Sequence, residues 1–138
     1  MRNIILQHFD GEMRPLDHES MWNIMDYADM INADYKLVLG KPFRENLTNA
    51  CQKVHMIHEE FDEWDNVLML DIDMFRPEAM TLNIFDQPGI GLYADVQQNL
   101  HRRLIQWYPM LGSVDAPYWG GAIYKMDRLT RQTLRKQL

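Results

Sequence analysis

The chain has 138 residues, the length of one ordinary domain, which leaves little room for a second. Hydrophobic residues make up 46% of it and charged residues 25%, so a folded globular protein is expected rather than a disordered one. The formal net charge of −6 argues against nucleic-acid binding, and the single cysteine, Cys51, excludes an internal disulfide and fits a reducing compartment.

The first predicted element is a short buried strand over residues 3–9, which Asp10 and Gly11 end in the manner of a turn. Its apolar run, residues 4–6, is too short for a signal-peptide core. No stretch of the sequence approaches the roughly 20 apolar residues that a membrane span needs. We therefore expect a cytoplasmic protein without a transmembrane segment.

Two helices and a second strand are predicted next. A helix is predicted over residues 16–32, where apolar residues recur at the three-and-four spacing of a core-facing stripe: Met21, Ile24, Met25, Ala28 and Ile31. Residues 35–39 form a predicted strand, and a second helix is predicted over residues 46–64. His58 lies on the apolar stripe of that second helix, so we expect it to be a hydrogen-bonded histidine of the core.

The most strand-like segment is residues 67–70, which lead into Asp71-Ile72-Asp73. Farther along, the predicted elements are strands over residues 89–93 and 122–124, a helix over residues 96–107 and an amphipathic basic helix over residues 129–138. Strands and helices alternate with short connections. This order favours one α/β domain over residues 1–138, with a largely parallel open sheet flanked by helices.

Two aspartates stand at the end of the central predicted strand. Side chains two residues apart in a strand point to the same face, so Asp71 and Asp73 are expected side by side. Open α/β sheets bind ligands in the crevice at the carboxyl ends of their strands. Mg²⁺ and Mn²⁺ commonly share one or two carboxylates with substrate phosphates. The pair therefore predicts a metal site for a diphosphate, although a bare Asp-x-Asp also occurs as two solvated acids.

The same residues carry a resemblance to a known family. Residues 61–73, which end in Val67-Leu68-Met69-Leu70-Asp71-Ile72-Asp73, resemble the segment around the DxD motif of GT-A fold glycosyltransferases. They are especially similar to the glycogenin and bacterial galactosyltransferase-like (family 8-like) group. The resemblance implies a GT-A-like, Rossmann-like sheet and transfer of a sugar from a nucleotide-sugar donor, UDP-linked by analogy, to a hydroxyl acceptor. It also implies that Asp71 and Asp73 hold Mn²⁺ or Mg²⁺.

A second match lies downstream, where residues 117–124 resemble the family segment that opens onto the donor sugar. Judged without the family, Lys53 is more simply a solvated helix lysine, and a tight turn explains Gly120-Gly121 equally well. The donor contacts that the resemblance implies are Phe9, Asp10, Lys53, Asp71, Gly120 and Gly121.

The sequence departs from the family in two respects. Trp119 stands where the family usually has asparagine, and no position after Gly121 matches the acceptor-side acidic motif or the histidine that completes the family's metal site. We therefore expect an incomplete C-terminus, completed by a missing portion or by a partner chain. Asp115, which precedes the glycine pair, is the candidate catalytic base, and a turn cap is its alternative role.

Other interpretations remain open. One is a donor-binding or interaction module without turnover. Another is a phosphohydrolase of the haloacid dehalogenase type, a family that also places Asp-x-Asp after an apolar strand, but near the start of the chain.

His55 and His58 lie three residues apart with Glu59 beside them, and this order matches neither the HExxH zinc pattern nor its inverse. A zinc site is therefore the weaker interpretation of the two histidines.

Overall fold

The computed structural model describes residues 1–94, 98–113 and 119–138. Its strands are β1 (Asn3–Phe9), β2 (Asp34–Leu39), β3 (Asn66–Leu70), β4 (Gly91–Ala94) and β5 (Trp119–Asp127). Its α-helices are α1 (Pro15–Met30), the single turn α2 (Asn49–Gln52), α3 (Gln98–Trp107) and α4 (Arg128–Arg135). Short 3₁₀ helices occupy Lys53–Ile57, Glu59–Phe61, Ile84–Asp86 and Pro109–Leu111. None of the helices in these ranges is both long and apolar enough to cross a lipid bilayer.

In the described ranges the five strands form one sheet in the order β2-β1-β3-β5-β4. β1 pairs in parallel with β2 and with β3, whereas β5 runs antiparallel to both β3 and β4. All strands except β5 therefore point in one direction. This arrangement confirms the predicted α/β fold with a largely parallel open sheet, and it places the carboxyl ends of β1 and β3 side by side.

The sheet separates two apolar clusters, because side chains along a strand alternate between its two faces. One cluster consists of Ile4, Leu6, Val38, Met56, Ile57, Phe61, Val67 and Met69. The other consists of Ile5, Ile24, Tyr27, Ala28, Leu68, Leu70 and Phe85. Burying one such side chain stabilises a fold by roughly 1.5–3 kcal/mol. The central strands β1 and β3 are thus packed on both faces, which makes their carboxyl ends a rigid base for a site.

Helix α1 agrees with its predicted span, and its buried face includes Ile24 and Ala28 of the predicted stripe. Proline is favoured at the first helical position, where its missing N–H costs nothing, and Pro15 begins the helix there. The carboxylate of Asp17, in the first turn, caps the helix start by accepting from the N–H and the guanidinium of Arg14. The buried positions include Ser20 and Tyr27, whereas Met25 of the predicted stripe is exposed.

The predicted helix over residues 46–64 is wrong. Only α2 forms there, followed by the two 3₁₀ helices Lys53–Ile57 and Glu59–Phe61. Between them His58 has an extended backbone, with φ −61° and ψ 149°, and its ring accepts a hydrogen bond from the Glu60 N–H. Such a local side-chain bond gives the backbone an alternative to a continuous helix. The bend also reverses the expected burial, because His55 is buried and His58 is exposed.

The last helix, α4, is amphipathic as predicted, but one of its basic residues is not solvated. Arg131 is fully buried and donates hydrogen bonds to three main-chain carbonyl groups. Leu134 packs partly against the first apolar cluster, whereas Leu129 and Leu138 are exposed. The helix is therefore attached through Arg131, through Leu134 and through Arg135, which donates to the Ile57 carbonyl oxygen and to the Asp62 carboxylate.

Candidate functional site

A cleft of about 340 Å³ opens where β1 and β3 end. Because these strands are parallel neighbours, the residues that follow each of them emerge at the same edge of the sheet. The sequence-predicted residues that line it are Phe9, Asp10, Lys53, Asp71 and Asp73. Four lining residues were not predicted, namely His8, Asn49, Ala50 and Ile72.

Lys53 connects the two segments that the sequence singled out. Its Nζ forms an ion pair with Asp71 Oδ1 and donates a 2.7 Å hydrogen bond to the carbonyl oxygen of Gly121. The main chain adds a second link, since the Asp71 N–H donates to the carbonyl oxygen of Ala122 at 3.0 Å. The interpretation of Lys53 as a solvated lysine is wrong, because its side chain is only 13% exposed. The strand-end aspartate, the lysine and the glycine segment therefore meet at one point.

Gly120 and Gly121 lie inside β5, so the tight-turn interpretation of this pair is wrong. Neither glycine has a positive φ. A Cβ added at Gly121 would lie 3.2 Å from Tyr124 Oη and 3.8 Å from Lys53 Nζ, so glycine here permits the close approach of these side chains. Gly120 is buried and pairs with Tyr93 of β4, whereas Gly121 is exposed.

A buried residue that the sequence analysis missed holds the main chain of Asp71. Gln7 has no exposed surface, and its Nε2 donates to the carbonyl oxygen of Asp71 and to Ser20 Oγ, both at 3.1 Å. Its Oε1 accepts from the Tyr35 hydroxyl at 2.9 Å. This amide therefore fixes the end of β3 relative to α1 and β2. The signal in the sequence is a lone amide directly after the apolar residues 4–6.

The two aspartates of the cleft have different surroundings. The Asp71 side chain is 30% exposed and is paired with the Lys53 ammonium, while Asp73 is exposed. The pKa of Arg14 is raised, mainly by its hydrogen bond to Asp17 and to a smaller extent by the charge of Asp73. Oxygen ligands from one or two carboxylates, completed by phosphate oxygens, are what Mg²⁺ and Mn²⁺ usually take. The donor set therefore fits a hard divalent cation.

Asp115, the predicted catalytic base, lies outside the described residues. The acceptor side of the predicted site therefore stays a prediction from the sequence.

Comparison with known proteins gives a match at the level of the fold. No protein-family model and no curated protein sequence matches the chain. Among solved structures, the chain is similar to a glycosyltransferase involved in the glycosylation of the major capsid of PBCV-1, with a TM-score of 0.64 and 11% sequence identity. The chain has a glycosyltransferase-like fold. The similarity covers 99% of this chain and 65% of that one, so the chain spans about two thirds of the length of the protein it matches.

Proposed function

We propose that the chain forms the donor-binding part of a glycosyltransferase that uses a nucleotide sugar, UDP-linked by preference, and transfers its sugar to a hydroxyl acceptor. The observation that carries this proposal is the contact of Lys53 with both Asp71 and Gly121. Residues far apart in the sequence, each expected on the donor, converge there. The mid-chain position of Asp71 and Asp73, together with the glycosyltransferase-like fold, favours this function over a phosphohydrolase of the haloacid dehalogenase type.

The residues of the cleft suit a nucleoside diphosphate. Asp71 and Asp73 supply the oxygen ligands that Mn²⁺ or Mg²⁺ requires. Such a cation, when bound, neutralises the charge that develops on a departing diphosphate. Lys53 adds a positive charge between the carboxylates and Gly121, and its ammonium is a ligand for phosphate oxygens. In the same cleft, Phe9 supplies an aromatic ring and Asp10 a carboxylate that can accept from ribose hydroxyls.

Isothermal titration calorimetry with UDP tests the metal requirement. We expect UDP to bind in the presence of Mn²⁺ and to lose most of its affinity in excess chelator. Asp73→Asn should reduce the Mn²⁺-dependent affinity by about tenfold or more, because it removes a carboxylate ligand. The fold should be unaffected, since Asp73 is exposed. Asp26→Asn is the matched control, because Asp26 is an exposed aspartate of α1 that does not line the cleft.

Equal UDP affinity with Mn²⁺ and with chelator would contradict the metal site, and so would an Asp73→Asn variant that binds like the Asp26→Asn control. Unfolding of Asp73→Asn, seen by circular dichroism, would make the residue structural instead. Donor hydrolysis and transfer are then measured with UDP-sugars. Metal-dependent binding without any turnover would indicate a donor-binding module rather than a self-sufficient enzyme.

A further inference from the structure

A second group of metal-ligand side chains lies in the bend between the 3₁₀ helices Lys53–Ile57 and Glu59–Phe61. It consists of His55, His58 and Glu60, and none of them lines the cleft. In the described part of the chain, this is the one group of three such residues whose ligand atoms all lie within 4.8 Å of one another.

The bend creates this group. On a continuous helix His55 and His58 would share a face, but Glu60, two residues beyond His58, would point elsewhere. The extended backbone of His58 instead stacks the two imidazole rings, with centroids 4.9 Å apart and planes 23° apart. It also brings Glu60 Oε1 to 2.5 Å from His55 Nε2 and to 3.8 Å from His58 Nδ1.

These separations suit a transition-metal ion. With Zn–N and Zn–O bonds of roughly 2.0–2.2 Å, two ligand atoms of a tetrahedral site lie about 3.3 Å apart. The observed separations of 2.5 Å and 3.8 Å lie on either side of that value, and a bound ion would replace the hydrogen bond between His55 Nε2 and Glu60 Oε1. His58 Nδ1 accepts a 3.3 Å hydrogen bond from the Glu60 N–H, and an ion bound to Nδ1 would replace that hydrogen bond.

The surroundings orient one ligand and leave the others open to solvent. The His55 side chain is only 10% exposed, and its ring packs edge-on against Phe61 with centroids 5.7 Å apart. The side chains of His58 and Glu60 are 51% and 36% exposed, so an ion and a water molecule can reach them. The two carboxylate oxygens of Glu60 have different partners: Oε1 faces the histidines, and Oε2 accepts from Lys36 Nζ at 2.9 Å.

We propose that His55, His58 and Glu60 bind Zn²⁺ or a similar transition-metal ion, with a water molecule as fourth ligand. Two imidazoles and one carboxylate form an established ligand set for zinc with one open position. An ion in this bend would join the two 3₁₀ helices, the first of which begins with Lys53. The site would therefore stabilise the segment that carries Lys53 into the cleft, and it is independent of the proposed function.

Calorimetric titration of Zn²⁺ near neutral pH tests the proposal in an Asp71→Asn/Asp73→Asn background, which removes the cleft as a competing site. We expect one saturable site in this parent. Adding His58→Ala or Glu60→Gln should weaken it by at least about tenfold, because each removes a ligand. Lys36→Met should strengthen it about twofold to fivefold, because the ammonium that competes for Glu60 is gone. His18→Ala, on α1, is the matched control and should leave the affinity unchanged.

Imidazole-nitrogen NMR gives a second readout that does not depend on affinity. Zn²⁺ is expected to shift the ring-nitrogen resonances of His55 and His58 while those of His18 stay in place. His58 is exposed, so His58→Ala should keep the fold, which circular dichroism verifies. The proposal is overturned if the parent shows no saturable binding, if His58→Ala binds Zn²⁺ as tightly as the parent, or if the shifts appear at other histidines instead.

Discussion

Replacing Gln7 with leucine tests whether a buried amide sets the position of Asp71. The Gln7 side chain has no exposed surface and joins the Asp71 carbonyl oxygen, the Ser20 hydroxyl and the Tyr35 hydroxyl. Leucine has a similar size but neither a donor nor an acceptor. The substitution therefore removes three hydrogen bonds while changing the packing little.

The magnitude follows from what each former partner retains. The Tyr35 hydroxyl, whose burial raises its pKa, loses its acceptor, which costs about 1–3 kcal/mol. The Asp71 carbonyl still accepts from the Met74 N–H at 3.2 Å, and Ser20 Oγ still donates to the Met74 carbonyl. Each of these two groups loses one hydrogen bond, which costs roughly 0.5–1.5 kcal/mol, and burial of the leucine side chain offsets a part of the total cost. We expect a net loss of about 2–4 kcal/mol, or roughly 6–14 °C in Tm.

Urea denaturation followed by circular dichroism measures this loss, and Tyr35→Phe completes a double-mutant cycle. Both single variants break the same Gln7–Tyr35 bond, so the double variant should be less destabilised than their sum by about 1 kcal/mol. Gln7→Leu should also weaken Mn²⁺-dependent UDP binding, whereas Tyr35→Phe leaves the bond from Gln7 to Asp71 intact and should bind nearly normally. Strict additivity of the two single variants, or a Gln7→Leu protein of unchanged stability, would refute the reasoning.

Two further predictions concern stability. Arg131→Met should lower the free energy of unfolding by about 2–4 kcal/mol, because three main-chain carbonyl oxygens lose their common donor. Lys136→Met, an exposed change after the same helix, is the control in urea denaturation. The hydrogen bonds from Arg14 lower the pKa of Asp17 from 3.8 to about 2. The ionised Asp17 carboxylate therefore stabilises the fold fully above pH 3.8, and this stabilisation is lost as the pH falls through about 2. Asp17→Asn should therefore flatten the acid limb of a plot of urea midpoint against pH, and an unchanged limb would contradict this.

The strands were predictable where burial on both faces leaves a continuous apolar run. β1 and β3 are such strands, and their observed bounds differ by at most one residue from the predicted ones. β5 was predicted only over residues 122–124, but it extends over Trp119–Asp127. Its two glycines and its polar residues are not typical of a strand, so the sequence pattern did not predict its full length. Lys125, for instance, is 4% exposed and donates to the carbonyl oxygens of Ile84 and Gln87. Pairing with β3 and β4, which no local pattern reveals, makes this segment a strand.

The candidate site was predictable only in its local part. Asp71 and Asp73 could be located from the apolar strand that precedes them, since they follow β3 directly in the chain. The expected strand geometry of the pair is wrong, because β3 ends at Leu70 and the Met74 N–H closes a turn onto the Asp71 carbonyl oxygen. The role of Gln7 depends on partners from α1, β2 and the end of β3, which come together only in the folded sheet. Periodicity also could not locate the break at His58, since the ring that caps the next 3₁₀ helix belongs to the same apolar stripe that predicts a continuous helix.

The ion pair of Lys53 with Asp71 changes what the two carboxylates require. Adjacent aspartates repel each other unless a nearby cation compensates their charges, and the sequence predicts a metal ion in that role. In the folded chain the Lys53 ammonium already compensates Asp71, and Asp73, being exposed, is stabilised by water. The fold therefore has no need of a divalent cation at this place. A metal requirement found in the UDP titration would then belong to binding of the diphosphate and not to folding, which is why a chelator that abolishes binding should leave the circular dichroism spectrum unchanged.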